Sequence, residues 1–197
     1  LIYVDSPGAD DAPFVGTDNR HSFGLIVDYL CRSGEPPCFL GMPGVNRNAQ
    51  SRRLAYEEAM QAAGHAPMVL PTPEGASWEF ERIGHEQTQL ALRAGLPTRT
   101  LLCANDRLAF GALLAGWEAG LRIGHGPEFA LRIAGHDDHP LARYACPPLT
   151  TVAQDYAEIA RIAMNRLLVM LDERDPQDGE DSDQVLLKAA LMLRFSA

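Results

Sequence analysis

Arg52, Trp78, Asn105 and Asp137 are the side chains whose types and neighbours suit specific chemistry. Arg52 and Arg53 stand in NRNAQSRRLAYEEAMQAAGHAP, where the pattern predicts a helix beginning near Arg52 after the strand CFLG and a turn at Pro43 and Gly44. The helix macrodipole disfavours a cation at that end by roughly a few tenths of a kcal/mol. An arginine there implies a carboxylate or a bound solute as partner, or an ordinary surface arginine. Asn105 and Asp106 follow the strand TLLCA and open a helix, so either can cap it, at roughly 1 kcal/mol. Strand C-termini in parallel α/β sheets are also where solutes bind, and an amide there could serve both ends. The strand FALRIAG runs into His136, Asp137, Asp138 and His139. A carboxylate at that terminus can accept from vicinal hydroxyls or pair with a cation. The two histidines add a divalent-metal reading, but consecutive residues of an extended segment alternate sides and rarely converge on one ion. Trp78 lies alone in PTPEGASWEF, as a packing lid or as a stacking plate for a sugar ring or base.

The elements that must position these groups alternate. LIYV, PFVGT, CFLG, MVLP, TLLCA and FALRIAG read as short strands, with amphipathic helices beginning near Ser22, Arg52, Trp78, Asn105 and Asp155. This order predicts an α/β fold with mainly parallel sheet and right-handed crossovers. In the helix after Asn105, Leu108, Ala109, Ala112 and Leu113 face inward and Gly120 closes the element. The helix from Tyr156 carries Ile159, Ala160, Ala163, Met164, Leu167, Leu168 and Leu171 on one stripe, predicting a core-facing helix. An acidic run, DERDPQDGEDSDQ, then reads as a solvated loop. Beyond it, Val185, Leu187, Ala189, Leu191, Leu193 and Phe195 alternate with polar or outward positions, as in a half-buried strand or strand pair.

Composition narrows the function. The 197 residues include 17 Lys and Arg against 26 Asp and Glu, a formal charge of -9, which repels a phosphate backbone and argues against direct nucleic-acid binding. The sequence contains neither an apolar run of membrane-spanning length nor a signal-peptide pattern at its start. The four cysteines, at 31, 38, 103 and 146, show no CxxC spacing and read as buried reduced thiols of a cytoplasmic protein. GxGxxG after a strand, GxxxxGK[ST], GxSxG and HExxH are all absent, so no enzyme signature is present.

With these residues in hand, the sequence resembles the effector-binding core of LacI/GalR-family bacterial transcription regulators. CANDRLAFGALLAGWEAGLRI is similar to the family's ANDxxAxGxLxAxxExGLxV block, and IAGHDDHPLARYACPPLTTVAQD to its GxDDxxxAxxxxPxLTTVxQ block. SRRLAYEEAM is similar to the helix start RxxGFxxAL, and LMLRFSA to the closing LxxRxS. His136 departs from the usual Phe or Tyr, and Ala55 and Tyr56 stand where Gly and an aromatic are expected. LIYVD resembles the fourth strand of the effector domain, and the family's helix-turn-helix and hinge have no counterpart in this sequence.

The resemblance implies a type I periplasmic-binding-protein-like α/β fold: two doubly wound parallel-sheet lobes joined by crossovers, the first incomplete. Residues 1–14 would belong to the first lobe, 15–150 to the second, 151–184 to a return to the first and 185–197 to final strands at the crossover. It further implies a non-enzymatic, cytoplasmic homodimer without a cofactor or metal. A small sugar or polyol effector would be held by Arg52, Trp78, Asn105, Asp137 and Tyr156, and operator DNA would be bound only by the absent N-terminal domain. A solute-binding protein of a sugar transporter shares the fold. A metal-dependent α/β enzyme using His136, Asp137, Asp138 and His139 is the alternative from another class.

Overall fold

The computed structural model describes residues 1–8, 12–171 and 184–197. The acidic loop expected at 172–184 lies outside the described residues except for Gln184. Two parallel sheets organise the chain. In the first, β1 (Tyr3–Val4), β2 (Phe14–Thr17) and β7 (Gln184–Leu187) lie in the order β1-β2-β7. In the second, β3 (Cys38–Leu40), β4 (Thr100–Cys103) and β5 (Arg132–Ala134) lie in the order β3-β4-β5. A short antiparallel pair, β6 (Thr151–Ala153) with β8 (Ala190–Met192), continues the second sheet through parallel bridges from Ala134 to Thr150 and Asp137 to Ala153.

Among the described residues five α-helices cover these sheets: α1 (Asn19–Ser33), α2 (Arg47–Ala62), α3 (Phe80–Ala94), α4 (Asp106–Glu118) and α5 (Tyr156–Leu171). Four begin where the sequence supplies an Asx cap. Asp18, Asn46, Asn105 and Asp155 accept from the backbone N–H of His21, Ala49, Leu108 and Glu158 at 2.8–3.0 Å, satisfying donors the helix cannot use itself. Leu108, Ala109, Ala112 and Leu113 of α4 are buried as their spacing predicts, and Gly120 closes the helix at φ +70°. Gly84 and Gly111 let α3 and α4 touch backbone to backbone. A Cβ on Gly111 would lie 2.0 Å from the Glu81 carbonyl oxygen.

Several expectations shift. Helix α2 starts at Arg47, so Arg52 sits in its second turn rather than at its end, away from the dipole penalty. MVLP forms no strand, only a bridge from Val69 to Phe39. The boundary at residue 15 falls inside β2, which is bonded to both β1 and β7; the chain leaves the first sheet after Thr17. The apolar stripe of α5 is buried only at Ile159, with Leu171 71% exposed, because three short strands cannot cover four turns of helix. In the tail the alternation slips after Leu191. Leu193 and Phe195 turn outward while Arg194 and Ser196 turn inward to bond Asp138, Leu149, Thr150 and Ile133. All four cysteines are free thiols, but only Cys38 and Cys103 are buried; Cys31 is partly exposed and Cys146 exposed.

Candidate functional site

The chain crosses between the two sheets at β2–α1, at β6–α5 and at β7–β8, and the first two crossovers converge on Asp137. Its backbone is held in the left-handed region, φ 121°, with its N–H donating to the Val152 carbonyl at 2.9 Å. Such strain persists only where neighbours over-determine it.

Arg52 is 3% exposed and reaches from α2 to donate through Nη2 to Asp137 Oδ1 at 2.7 Å and through Nη1 to the Ala104 carbonyl at 2.8 Å. Gln154, buried at the β6–α5 crossover, donates through Nε2 to the same Oδ1 at 2.7 Å and to the Tyr156 hydroxyl oxygen at 3.0 Å. Its Oε1 accepts from the Thr17 hydroxyl at the end of β2. Burial alone would raise the Asp137 pKa, but the Arg52 charge and the His136 contact more than offset it and hold it at about 2, so this carboxylate is ionised. Burial lowers the Arg52 pKa while Asp137 raises it further, and the guanidinium stays charged. Asp5, at the end of β1 with φ 62°, brings a second carboxylate near this pair. Burial and the Asp137 charge raise its pKa against the pull of Arg52, and its Oδ1 is buried without a hydrogen-bond partner among the described residues.

The structure thus brings Arg52, Asp137 and Tyr156 together. Asn105 is adjacent, next in sequence to the carbonyl that Arg52 grips, and its side-chain oxygen is spent on the cap. Trp78 is 59% exposed and rests edge-on against Phe80 at 5.6 Å, outside this hydrogen-bonded cluster. Asp5, Thr17 and His136 join the site without having been singled out for it. The available signal was position, since Asp5 and Thr17 both end strands of a parallel sheet.

The four residues from His136 to His139 do not converge on one point, although His136 and Asp137 touch. His136 is fully buried against Phe23, Asp138 bonds Arg194 at 2.6 Å, and His139 donates its backbone N–H to Asp106, its ring edge-on to Phe110. Among the described residues no three His, Cys, Asp or Glu side chains converge as metal ligands. Ser22, His136 and Asp137 do form a hydroxyl–imidazole–carboxylate line, at 2.9 and 3.0 Å. Ser22 is fully buried, so no substrate can reach it as a nucleophile.

Two parallel α/β units, with a guanidinium, an ionised carboxylate and a phenol gathered at their crossovers, have the architecture of a periplasmic-binding-protein-like domain. The periplasmic binding protein-like domain family matches residues 36–196. The chain belongs to that family, in the form of a LacI/GalR-type effector-binding domain. It is 34% identical over 174 residues to the HTH-type transcriptional repressor PurR of Haemophilus influenzae strain PittEE, covering 84% of this chain and 49% of that protein. It is 36% identical over 148 residues to the ribose operon repressor of Haemophilus influenzae strain ATCC 51907, covering 75% and 42%. A solved structure of a dimeric Lac repressor superposes with a TM-score of 0.83 at 23% identity, over 99% of this chain and 68% of that one. The chain spans about half the length of the curated relatives it matches.

Proposed function

We propose that the chain is the sensing domain of a cytoplasmic, non-enzymatic transcription regulator, and that it holds a small sugar-like effector between its two units. The observation that carries this reading is the state of Asp137. All of its described donors fall on Oδ1, leaving Oδ2 as an ionised acceptor for a solute hydroxyl on a side chain still 22% exposed. Tyr156, half-exposed beside it, adds a hydroxyl that both donates and accepts. Vicinal hydroxyls, which do both, match this set. Asn105 and Trp78 complete the proposed contacts, the first by its remaining amide donors and the second by stacking.

The repressor relatives support a regulator that binds operator DNA through a separate helix-turn-helix module. Effector binding would shift operator affinity by favouring one arrangement of the units, with coupling of about 1–3 kcal/mol. The net charge of -9 supports leaving the DNA contacts to that module. For the dimer, the candidate face is a concave apolar patch of about 540 Å³ formed by Leu113, Leu114 and Trp117 of α4 with Leu141, Tyr144 and Cys146. A second copy is the occupant we assign, by likeness to the dimeric Lac repressor. Light scattering of the intact protein and of Trp117→Glu tests it, with a monomeric wild type as the refuting result.

Calorimetry of the intact protein against pentoses and hexoses tests the effector site. Arg52→Ala and Asp137→Ala should each weaken binding by about 1.5–3 kcal/mol, the range for hydrogen bonds to a charged group. Unchanged affinity would remove the site. Operator gel shifts with and without the bound sugar test the switch.

A further inference from the structure

His136 stands where the family's motif has Phe or Tyr, and its ring does two things at once. It stacks on Phe23 of α1, with centroids 5.0 Å apart and planes 10° from parallel, as an aromatic would. It also presents Nδ1 to Asp137 Oδ1 at 3.0 Å and Nε2 to the Ser22 hydroxyl at 2.9 Å, which an aromatic could not. The tautomer follows from the partners. An ionised carboxylate only accepts, so Nδ1 carries the proton, and bare Nε2 then accepts a hydrogen bond from the Ser22 hydroxyl. Burial, reinforced by the Arg52 charge and opposed by Asp137, lowers the pKa to about 4, so the ring is neutral at physiological pH.

Two hydrogen-bonded arms therefore run from Asp137 to one stretch of chain. Gln154 leads to Thr17 at the end of β2, and His136 leads to Ser22 in the first turn of α1. That stretch is the β2–α1 crossover between the sheets. We propose that His136 is a positioning residue that ties the Asp137 carboxylate to this crossover and, by helping to saturate Oδ1, presents Oδ2 as its oxygen for a solute hydroxyl. The consequence for solute binding rests on the sugar-binding reading above; the tie itself does not.

The test uses three substitutions that separate the tie from simple packing. His136→Phe keeps the stack on Phe23 and removes the donor, while the Ser22 hydroxyl, freed from Nε2, turns to the Asn19 carbonyl at 3.1 Å as its acceptor. His136→Asn places an amide donor where Nδ1 stood; His136→Gln places one where Nε2 stood. With D-ribose as the calorimetric probe on the intact protein, Phe and Gln should weaken binding by about ten- to a hundredfold, as for a lost hydrogen bond to a charged group, and Asn by less than about threefold. A packing role predicts the reverse order, with Phe harmless and Asn damaging, and that order overturns the proposal. Ring ¹⁵N spectra of the ligand-free protein, with His136 assigned by its loss in His136→Phe, should show a neutral ring protonated on Nδ1. A ring protonated on Nε2, or on both nitrogens at neutral pH, overturns the tie whatever the solute. If the wild type binds neither ribose nor any other pentose or hexose, the sugar reading falls and the ring spectrum alone decides the tie.

Discussion

Replacing Arg52 by methionine removes one half of an ion pair whose other half stays in place. Methionine keeps an unbranched stem of similar shape, so the change is chiefly electrostatic. Two bonds go: Nη2 to Asp137 at 2.7 Å and Nη1 to the Ala104 carbonyl at 2.8 Å. The Asp137 pKa stands at about 2 against 3.8, a net stabilisation of the charged form of roughly 2–3 kcal/mol. Without Arg52 the burial penalty remains and most of that gain is lost. Leaving the buried Ala104 carbonyl without this donor adds about 1–3 kcal/mol. The sum, about 3–5 kcal/mol, is the range for breaking a buried pair, and the remaining bonds from His136 and Gln154 keep it from being larger. Urea unfolding of the intact protein at neutral pH, extrapolated linearly to water, measures it. Adding Asp137→Asn to Arg52→Met removes the stranded charge and should recover about 1–2 kcal/mol. The acid limb carries the same signature. A carboxyl lowered on folding stabilises fully above pH 3.8 and loses that contribution as pH falls toward 2, so this part of the limb should vanish in Arg52→Met. A single variant within about 1 kcal/mol of wild type, or a double variant no more stable than the single, would refute the reasoning.

Other outcomes follow from neighbouring groups. His136, neutral in the fold down to about 4 but protonating at 6.5 when unfolded, makes stability fall as pH drops through that interval; Asp106, whose pKa burial raises from 3.8 to about 7, makes stability rise as pH drops from 7. His136→Phe should unmask the Asp106 trend, a gain of about 2–3 kcal/mol from pH 6.5 to 4.5 by denaturation at stepped pH, and a curve parallel to wild type would contradict it. Gly111→Ala should lower stability by about 1–3 kcal/mol because its Cβ meets the Glu81 carbonyl, whereas Gly24→Ala, with open space around it in α1, should raise stability by up to about 1 kcal/mol; thermal melts check both signs. Trp78→Ala should leave stability within about 0.5 kcal/mol, and a fall in sugar affinity would place the indole on the solute.

Local signals were legible wherever they involve neighbours in the chain. The cap before α4, read as Asn105 or Asp106, the start of α5 near Asp155, the inward face of α4 and the alternating order of strands and helices each follow from short-range sterics and period, and residue types at short spacing carry that information. The chemistry of Arg52 and Asp137 was legible as two separate candidates. That they meet was not, because their contact spans 85 residues and depends on two crossovers closing over it. Tertiary structure also decided where apolar periodicity leads. The α5 stripe reads as core yet stays largely exposed, because a stripe states what a helix could bury and only the sheet beside it sets how much is covered. The tail reverses faces after Leu191 because Arg194 and Ser196 find Asp138 and the Ile133 carbonyl inside, bonds strong enough to override alternation. His136 is the sharpest case. In sequence it is one polar residue among four, and only the fold, by setting Ser22 on one side and Asp137 on the other, determines which nitrogen holds the proton and which way the carboxylate faces.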